Sequence, residues 1–168
     1  TYISYGREVL LARSIPHERG RKIIRMLKEC NAEPIMEGQE DCYFSSRMSR
    51  FSSAESTRRY FKQMGIGIET YLEKDNFDYD KFVFYADSAT DKERIYENLE
   101  QDMEIMSRGS GFHEVVPLGF SKATAIEFIL EHFGISLNDT YVFGDSSNDL
   151  SMFRYVPHSI AMQNHDRI

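Results

Sequence analysis

The chain has 168 residues, 41% of them hydrophobic, which suffices for the packed interior of one ordinary domain or two small ones and excludes a disordered chain. Its net charge of −7 disfavours a general attraction to nucleic acid or to anionic membranes. Two cysteines are too few for a disulfide framework, and no apolar run reaches the roughly 20 residues that span a bilayer. We therefore expect a cytoplasmic protein without nucleic-acid or membrane partners, of unknown oligomeric state.

Short strand and helix patterns alternate along the first part of the chain. The Thr90 to Glu93 spacing is a capping-box signature for the start of a helix. Strands are predicted at 2–5, 9–12, 35–37, 42–44, 82–85, 104–106 and 113–116, and helices at 16–31, 55–64 and 90–101. This order predicts an α+β domain.

The pattern changes after Pro117. Ser121 is placed to cap a helix with one apolar face, and Gly134 is placed to end it. A strand at 140–143, a helix at 150–155 and a strand at 159–162 follow, which is the alternation of a parallel, doubly wound α/β sheet. The sequence thus predicts two domains, residues 1–115 and 116–168.

The hexapeptide Gly144-Asp145-Ser146-Ser147-Asn148-Asp149 follows the predicted apolar strand and precedes the next helix. Asp145 would therefore project from the carboxyl end of a strand, where open parallel sheets bind ligands. Mg²⁺ accepts one or two carboxylates and keeps water and phosphate oxygens in its other positions, so Asp145 and Asp149 are candidate ligands. Asn148 could cap the helix or reach a phosphate, and Ser146 could donate to the same region. The plainer alternative is an ordinary strand-to-helix turn.

Lys122 lies in the first turn of the helix that Ser121 begins. Free backbone N–H groups and the positive end of the helix dipole favour an anion there, and a lysine adds a point charge. Alone, such a lysine is typical of a solvated surface. Together with Asp145, it predicts a combined phosphate and metal site.

Three segments occur in an order and spacing typical of one enzyme family. They are Ser121-Lys122-Ala123, Phe143 to Asp149, and Ala161-Met162-Gln163-Asn164. The stretch from Gly119 to Asn164 thereby resembles Cof-type phosphatases, subclass IIB of the haloacid dehalogenase superfamily. Ala123 and Gln163 depart from the family pattern, which has glycine at both positions, and His165 stands where a small residue is expected.

The resemblance implies a Mg²⁺-dependent phosphatase acting on a small phosphorylated metabolite. Lys122 would steady the nucleophile and the transferring phosphate, while Asp145 and Asp149 would help to hold Mg²⁺. Asn148 would orient the loop and the phosphate, and Asn164 would lie at the rim of the site. Residues 1–115 would be a substrate-selecting cap, and 116–168 the C-terminal portion of a Rossmann-like core.

The family's nucleophile motif, Asp-x-Asp-Gly-Thr, has no good match in this chain. Asp78-Tyr79-Asp80 has the spacing but no apolar strand before it, and Asp87 has alanine at the position of the second aspartate. Family topology puts the nucleophile upstream of Thr1, and the chain opens in a strand pattern without methionine. We therefore expect a fragment that does not turn over substrate by itself.

Three alternatives remain open from the sequence. A degenerate nucleophile would leave a non-catalytic phosphate- or metal-binding module, and a phosphomutase could use the same scaffold. The arginines between Arg47 and Arg59 lie among aromatic residues, a mixture that can bind nucleic acid, but the acidity of the chain favours a solvated surface or a part in substrate selection.

Overall fold

The structure is a computed structural model that describes residues 1–68, 70–74 and 76–163. The chain divides into two compact units, Thr1–Leu118 and Gly119–Ile168. Within the described ranges, no helix is long and apolar enough to cross a membrane.

The first unit is built around a five-stranded antiparallel sheet with the strand order β4-β3-β5-β7-β6. A separate hairpin, β1–β2, precedes it and turns at Gly6, whose φ is 60°. The strands are β1 (Tyr2–Tyr5), β2 (Glu8–Ala12), β3 (Glu33–Glu37), β4 (Cys42–Tyr43), β5 (Lys81–Tyr85), β6 (Met103–Ser107) and β7 (Phe112–Pro117). The helices are α1 (His17–Glu29), α2 (Ser52–Gln63) and α3 (Lys92–Leu99).

Helices cover both faces of this sheet because the apolar residues of β5 run without a break. Successive side chains of a strand point to opposite faces. Phe82 and Phe84 pack in the cluster that contains the buried residues of α1 and α3, whereas Val83 and Tyr85 pack with Ala54 of α2. The continuous apolar run therefore serves two separate cores.

The turn between β6 and β7 requires glycine at position 111. Gly111 has φ 75°, and a Cβ there would lie 2.0 Å from the backbone oxygen of Ala86. We expect Gly111→Ala to lower the free energy of unfolding by at least about 2 kcal/mol, because left-handed strain adds to a backbone clash. Urea denaturation measures this loss.

Gly109 provides the matched control for that substitution. Its φ is 83°, but a Cβ there would meet nothing within 4 Å. Gly109→Ala should cost only the left-handed strain, about 1–2 kcal/mol. Equal losses in the two variants would show that the contact with Ala86 contributes nothing.

His113 is a buried histidine on the α1 and α3 side of the sheet. Its ring stacks on Phe84 with centroids 4.6 Å apart, and its Nδ1 lies 3.3 Å from the Tyr96 hydroxyl. Burial, assisted by the positive charge of Lys92, lowers the pKa of His113 below 6.5. The folded protein therefore favours the neutral ring.

This preference makes stability depend on pH. Because the folded-state pKa is depressed, the unfolded chain binds a proton more readily as pH falls below the ordinary value of 6.5. Stability should therefore decrease from pH 7.5 to pH 5.5, and the decrease should be smaller in His113→Phe, which keeps a ring on Phe84 but cannot titrate. Urea midpoints of both proteins at the two pH values test this, and an equal decrease would contradict it.

The second unit contains one helix followed by a strand–helix–strand segment. Strands β8 and β9 pair in parallel, with Gly144 opposite Ala161. Their core consists of Val142, Met152 and Val156, against which Ile126 packs. The elements are α4 (Lys122–Phe133), β8 (Tyr141–Gly144), α5 (Leu150–Tyr155) and β9 (His158–Ala161), with short 3-10 turns at Leu137–Asp139 and Ser147–Asp149.

Most of the predicted elements are confirmed within a few residues, and two helix starts are corrected. Asp91 is the N-cap of helix α3 and its side chain accepts a hydrogen bond from Arg94 N, so the predicted Thr90–Glu93 capping box is wrong. Thr90 instead bonds the preceding turn, where its hydroxyl accepts from Asp87 N at 3.0 Å. Helix α2 begins at Ser52, earlier than predicted. The mixed α/β class is as predicted.

Candidate active site

The N-terminus of α4 places Lys122 at the first helical position. Ser121 Oγ accepts from Thr124 N at 3.2 Å, and Thr124 Oγ1 accepts from Ser121 N at 2.9 Å. This reciprocal capping box fixes the start of the helix. At the other end, Gly134 adopts φ 64° as the helix stop that the sequence predicts. Lys122 therefore stands beside the free N–H groups of the first turn.

Asp149 connects Lys122 to the loop that follows β8. Its Oδ1 accepts a hydrogen bond from Lys122 Nζ, and its Oδ2 accepts from the backbone N–H groups of Asp145 at 2.9 Å and Ser146 at 3.2 Å. The Asp149 side chain is 4% exposed, whereas that of Lys122 is 49% exposed. One buried carboxylate thus joins residues that are 27 positions apart.

Asp149 remains ionised because of these donors. The hydrogen bond from Lys122 Nζ, supported by the N–H groups of Asp145 and Ser146, lowers the pKa of the Asp149 carboxyl below its ordinary value of 3.8 despite burial. The carboxylate in turn holds the Lys122 ammonium near the N-terminus of α4. This is a fixed ion pair in which the lysine keeps an exposed side.

Gly144 is required by this arrangement, and sequence reasoning missed its role. A Cβ at position 144 would lie 2.6 Å from Asp149 Oδ2 and 2.7 Å from Asp149 Cγ. The Asp149 side chain therefore occupies the space that any other residue at position 144 would need. A glycine at the end of a strand that enters a polar loop was the available signal, but it is typical of many turns.

Asp145 and Asn148 face solvent on the same loop. Ser146 Oγ donates to Asn148 Oδ1 at 2.5 Å, so the Asn148 carbonyl oxygen is occupied and its amide donors point away from that bond. Asp149, not Asn148, is the N-cap of α5, and Ser146 is the N-cap of the Ser147–Asp149 turn. Asp145 is exposed and presents its carboxylate to solvent.

The site residues predicted from sequence are therefore partly brought together. Hydrogen bonds link Lys122 to Asp149, Asp149 to the backbone of Asp145 and Ser146, and Ser146 to Asn148. Asn164, predicted at the rim of the site, lies outside the described residues.

The donor set fits Mg²⁺ best through Asp145. Across residues 1–68, 70–74 and 76–163, no cluster of three or more histidine, cysteine, aspartate or glutamate side chains could hold a metal. Mg²⁺ needs only one or two carboxylates when water and phosphate supply the rest. The exposed Asp145 carboxylate can provide one without rearrangement, whereas Asp149 would first have to release Lys122 or a backbone N–H.

The aspartates of the first unit that resemble a nucleophile motif have structural partners. Asp80 accepts from Ser14 Oγ at 2.8 Å, and Asp78 lies 2.9 Å from His17 Nδ1. Asp87 forms a bidentate ion pair with Arg50 and accepts from Ala89 N at 2.9 Å. Asp87 lies at a turn before α3, as a turn-and-cap interpretation of that segment predicts, whereas an interpretation of residues 78–80 as a polar turn is wrong, because Asp80 N donates to Glu37 O at 2.8 Å and Tyr79 is buried.

Comparison with known proteins identifies the family of the chain. The profile of the haloacid dehalogenase-like hydrolases matches residues 1–168. A 5-amino-6-(5-phospho-D-ribitylamino)uracil phosphatase of Bacillus subtilis is 34% identical over 110 residues, which are 62% of this chain and 38% of that protein. An HMP-PP phosphatase of Escherichia coli is 32% identical over 71 residues, covering 42% of this chain and 28% of that protein.

Solved structures share the fold. A haloacid dehalogenase subclass IIB sugar phosphatase superposes with a TM-score of 0.72 at 22% identity, over 98% of this chain and 62% of that one. The chain thus spans less than two thirds of the length of the relatives that it matches. Because the family profile matches its whole length, the chain belongs to the haloacid dehalogenase-like hydrolase family.

Proposed function

We propose that this chain is part of a cytoplasmic, Mg²⁺-dependent phosphatase that hydrolyses a small phosphorylated metabolite. The observation that carries the proposal is the carboxylate of Asp149, which holds the Lys122 ammonium and two N–H groups of the Asp145 loop at once. The Lys122 ammonium and the backbone of the loop that carries the exposed Asp145 are thereby joined through one carboxylate. This arrangement suits a phosphate group and the metal ion that accompanies it.

Each side chain has a distinct part in this proposal. Lys122, at the positive end of α4, binds and orients the phosphate oxygens. Asp145 would hold Mg²⁺, which neutralises charge on the transferring phosphoryl group when bound. Asn148 donates its amide hydrogens to the same phosphate, while Ser146 orients that amide. Asp149 acts as a positioning residue, because its oxygens are occupied by the groups that it arranges.

The second unit is proposed to be the C-terminal portion of a larger catalytic core. Up to residue 163 its sheet has two strands, and Tyr141 and Phe143 on β8 are 62% and 61% exposed. A two-stranded sheet is marginal by itself, and exposed aromatic residues on it are suited to packing against further strands. We propose that the nucleophilic aspartate belongs to such an additional part, and that the first unit is a cap that selects the substrate.

The substrate class is proposed from the two curated relatives. Both are named as phosphatases of small phosphorylated compounds, a ribitylaminouracil phosphate and HMP-PP. A panel of phosphorylated sugars, nucleotides and cofactors, assayed with the complete protein and Mg²⁺, tests the proposal by phosphate release. We expect activity on at least one compound, and loss of that activity with EDTA.

The 168-residue chain itself should be inactive. We expect no turnover of para-nitrophenyl phosphate above background by this polypeptide with Mg²⁺, because the described aspartates of its first unit are engaged in structural contacts. Robust turnover would place the nucleophile inside this chain. A complete protein that binds Mg²⁺ and phosphate but hydrolyses none of the panel would favour a non-catalytic binding module, and transfer of the phosphate to a sugar acceptor would favour a phosphomutase.

A further inference from the structure

A groove of about 530 Å³ opens in the first unit, among residues that the proposed reaction does not use. Its volume lies within the range of about 300–1,000 Å³ that is usual for small-molecule sites. One wall comes from the end of α1 and the start of β3, and the other from the segment 45–51, with Glu73 beside them. The lining residues that matter here are Lys28, Pro34, Ser45, Ser46, Arg47 and Phe51.

The backbone of the segment 45–51 is held in place before any ligand binds. Ser46 N donates to Glu73 Oε2 at 3.0 Å, and Ser49 N donates to Glu55 Oε1 at 2.7 Å. The carbonyl oxygen of Arg47 accepts from Arg58 Nη1 at 3.2 Å. A loop fixed at several points loses little conformational freedom when it binds, which favours affinity.

Most cations along the groove already have partners. Arg50 forms its bidentate pair with Asp87 and lies 4.5 Å from the Phe51 ring centre. Lys28 Nζ lies 2.9 Å from Glu73 Oε1, the carboxylate that also fixes Ser46. The charges of Arg50 and Lys28 are thus balanced by Asp87 and Glu73, and these ion pairs fix the walls of the groove.

Arg47 differs from these cations. It is exposed and lines the groove, and among the residues described its guanidinium has no hydrogen-bond or ion-pair partner. The hydroxyls of Ser45 and Ser46 line the same groove, likewise without a partner in the described part of the chain. One fork of N–H donors and two hydroxyl donors match the several acceptor oxygens of a phosphate group.

The local charge also favours an anion. Residues 45–64 contain five basic residues and one acidic residue, within a chain of net charge −7. Pro34 and Phe51 supply apolar surface next to the donors. The groove therefore combines unused donors, positive charge and an apolar wall, as ligand pockets commonly do.

We propose that this groove of the first unit binds a small organic phosphate, with Arg47 as the cation that recognises the phosphate and Phe51 and Pro34 as the apolar wall against which its organic part packs. The site shares no residue with the Lys122 site, and the inference does not depend on the proposed hydrolysis. It adds a second ligand site to the chain.

Titration with phenyl phosphate, followed by amide NMR signals of the 168-residue chain, tests the proposal. We expect the amide signals of residues 31–33 and 45–51 to shift with saturation. Arg47→Ala should weaken binding about tenfold or more, as loss of a charge-assisted contact to phosphate does. Arg47→Lys should weaken it less, because lysine keeps the charge but loses the bidentate fork.

Matched variants separate this site from other sources of binding. Arg59→Ala removes the same charge from α2 outside the groove and should change the affinity less than about twofold. Lys122→Met removes the cation of the proposed phosphatase site and should leave the shifts of 45–51 unchanged. Phenol should not bind, and benzoate should bind more weakly than phenyl phosphate.

Several results would overturn the proposal. Shifts confined to the loop around Lys122 and Asp145 would show that phosphate binds only there. Equal affinity of wild type, Arg47→Ala and Arg47→Lys would remove Arg47 from recognition, and equal shifts with phenol and phenyl phosphate would show an apolar cleft without a phosphate site.

Discussion

Replacing Asp145 by asparagine should remove metal-dependent activity and leave the fold intact. The side chain is exposed, so the change should alter the free energy of unfolding by no more than about 0.5 kcal/mol. In the complete protein, loss of the carboxylate that would hold Mg²⁺ should lower kcat/KM by about 10²–10³-fold, the magnitude typical of removing one electrostatic contact to a reacting group. Activity and urea denaturation, measured on the same preparation, give both numbers.

The variant Asp149→Asn should differ from Asp145→Asn in its effect on stability. Asp149 is buried and engaged by Lys122 and two backbone N–H groups, so an amide in its place leaves a donor unsatisfied and the ammonium unpaired. We expect a loss of about 1–3 kcal/mol in stability together with a loss of activity. The two aspartates, four positions apart, should thus differ in their effect on stability.

Metal binding supplies a second readout that needs no turnover. Mn²⁺ added to the 168-residue chain should broaden the amide signals around Asp145, and this broadening should disappear in Asp145→Asn. If Asp145→Asn keeps the broadening while a folded Asp149→Asn loses it, Asp149 is the direct ligand and the assignment of roles is reversed.

Local sequence signals were sufficient where a structural feature depends on neighbours in the chain. Ser121 and Gly134 mark the two ends of α4 because a cap bonds within its own first or last turn. The strand β5 was predictable because its apolar residues follow one another in the chain. The site itself was visible as a strand followed by a Gly-Asp loop.

Features that depend on distant residues were not predictable in the same way. Both Thr90 and Asp91 are good N-cap residues, and the choice of Asp91 follows the bonds that Thr90 makes to Asp87 and to the carbonyl of Asn31. The Arg47 guanidinium, which has no partner among the residues that the structure describes, cannot be distinguished by sequence from Arg50 and Arg58, which do have partners. Only the tertiary fold distinguishes these arginines.

The Asp149 side chain shows how the same limit affected the site. Sequence spacing presents Asp145 and Asp149 as two equivalent carboxylates after a strand. The fold makes them different. The Asp149 side chain packs against Gly144 and is buried among hydrogen-bond donors, whereas Asp145 is exposed. We propose Asp145 as the metal ligand and Asp149 as the positioning residue because Asp149 is buried and Asp145 is not. Sequence spacing contains no information on this burial.

Gly144→Ala should therefore disable the site although the added methyl group touches neither metal nor phosphate. The new Cβ would fall 2.6 Å from Asp149 Oδ2, well inside van der Waals contact, and Asp149 is held too firmly by three donors to move without losing one of them. Displacing it releases Lys122 from its position at the start of α4. We expect kcat/KM of the complete protein to fall about 10²-fold, the upper range for residues that position a metal or phosphate site.

A double-mutant cycle tests whether the methyl group acts through Asp149. If it does, Gly144→Ala should have almost no further effect in an Asp149→Ala background, because the space under position 144 is then open. Gly119→Ala is the comparison for a glycine change in the same unit: a Cβ there would meet nothing within 4 Å, and its φ of 83° adds left-handed strain, so its loss should be confined to stability and should be the same in both backgrounds. If the losses of kcat/KM in the two single variants are additive in the double variant, Gly144 acts through the backbone of β8. The carboxylate of Asp149 would then not explain why glycine occupies the end of that strand.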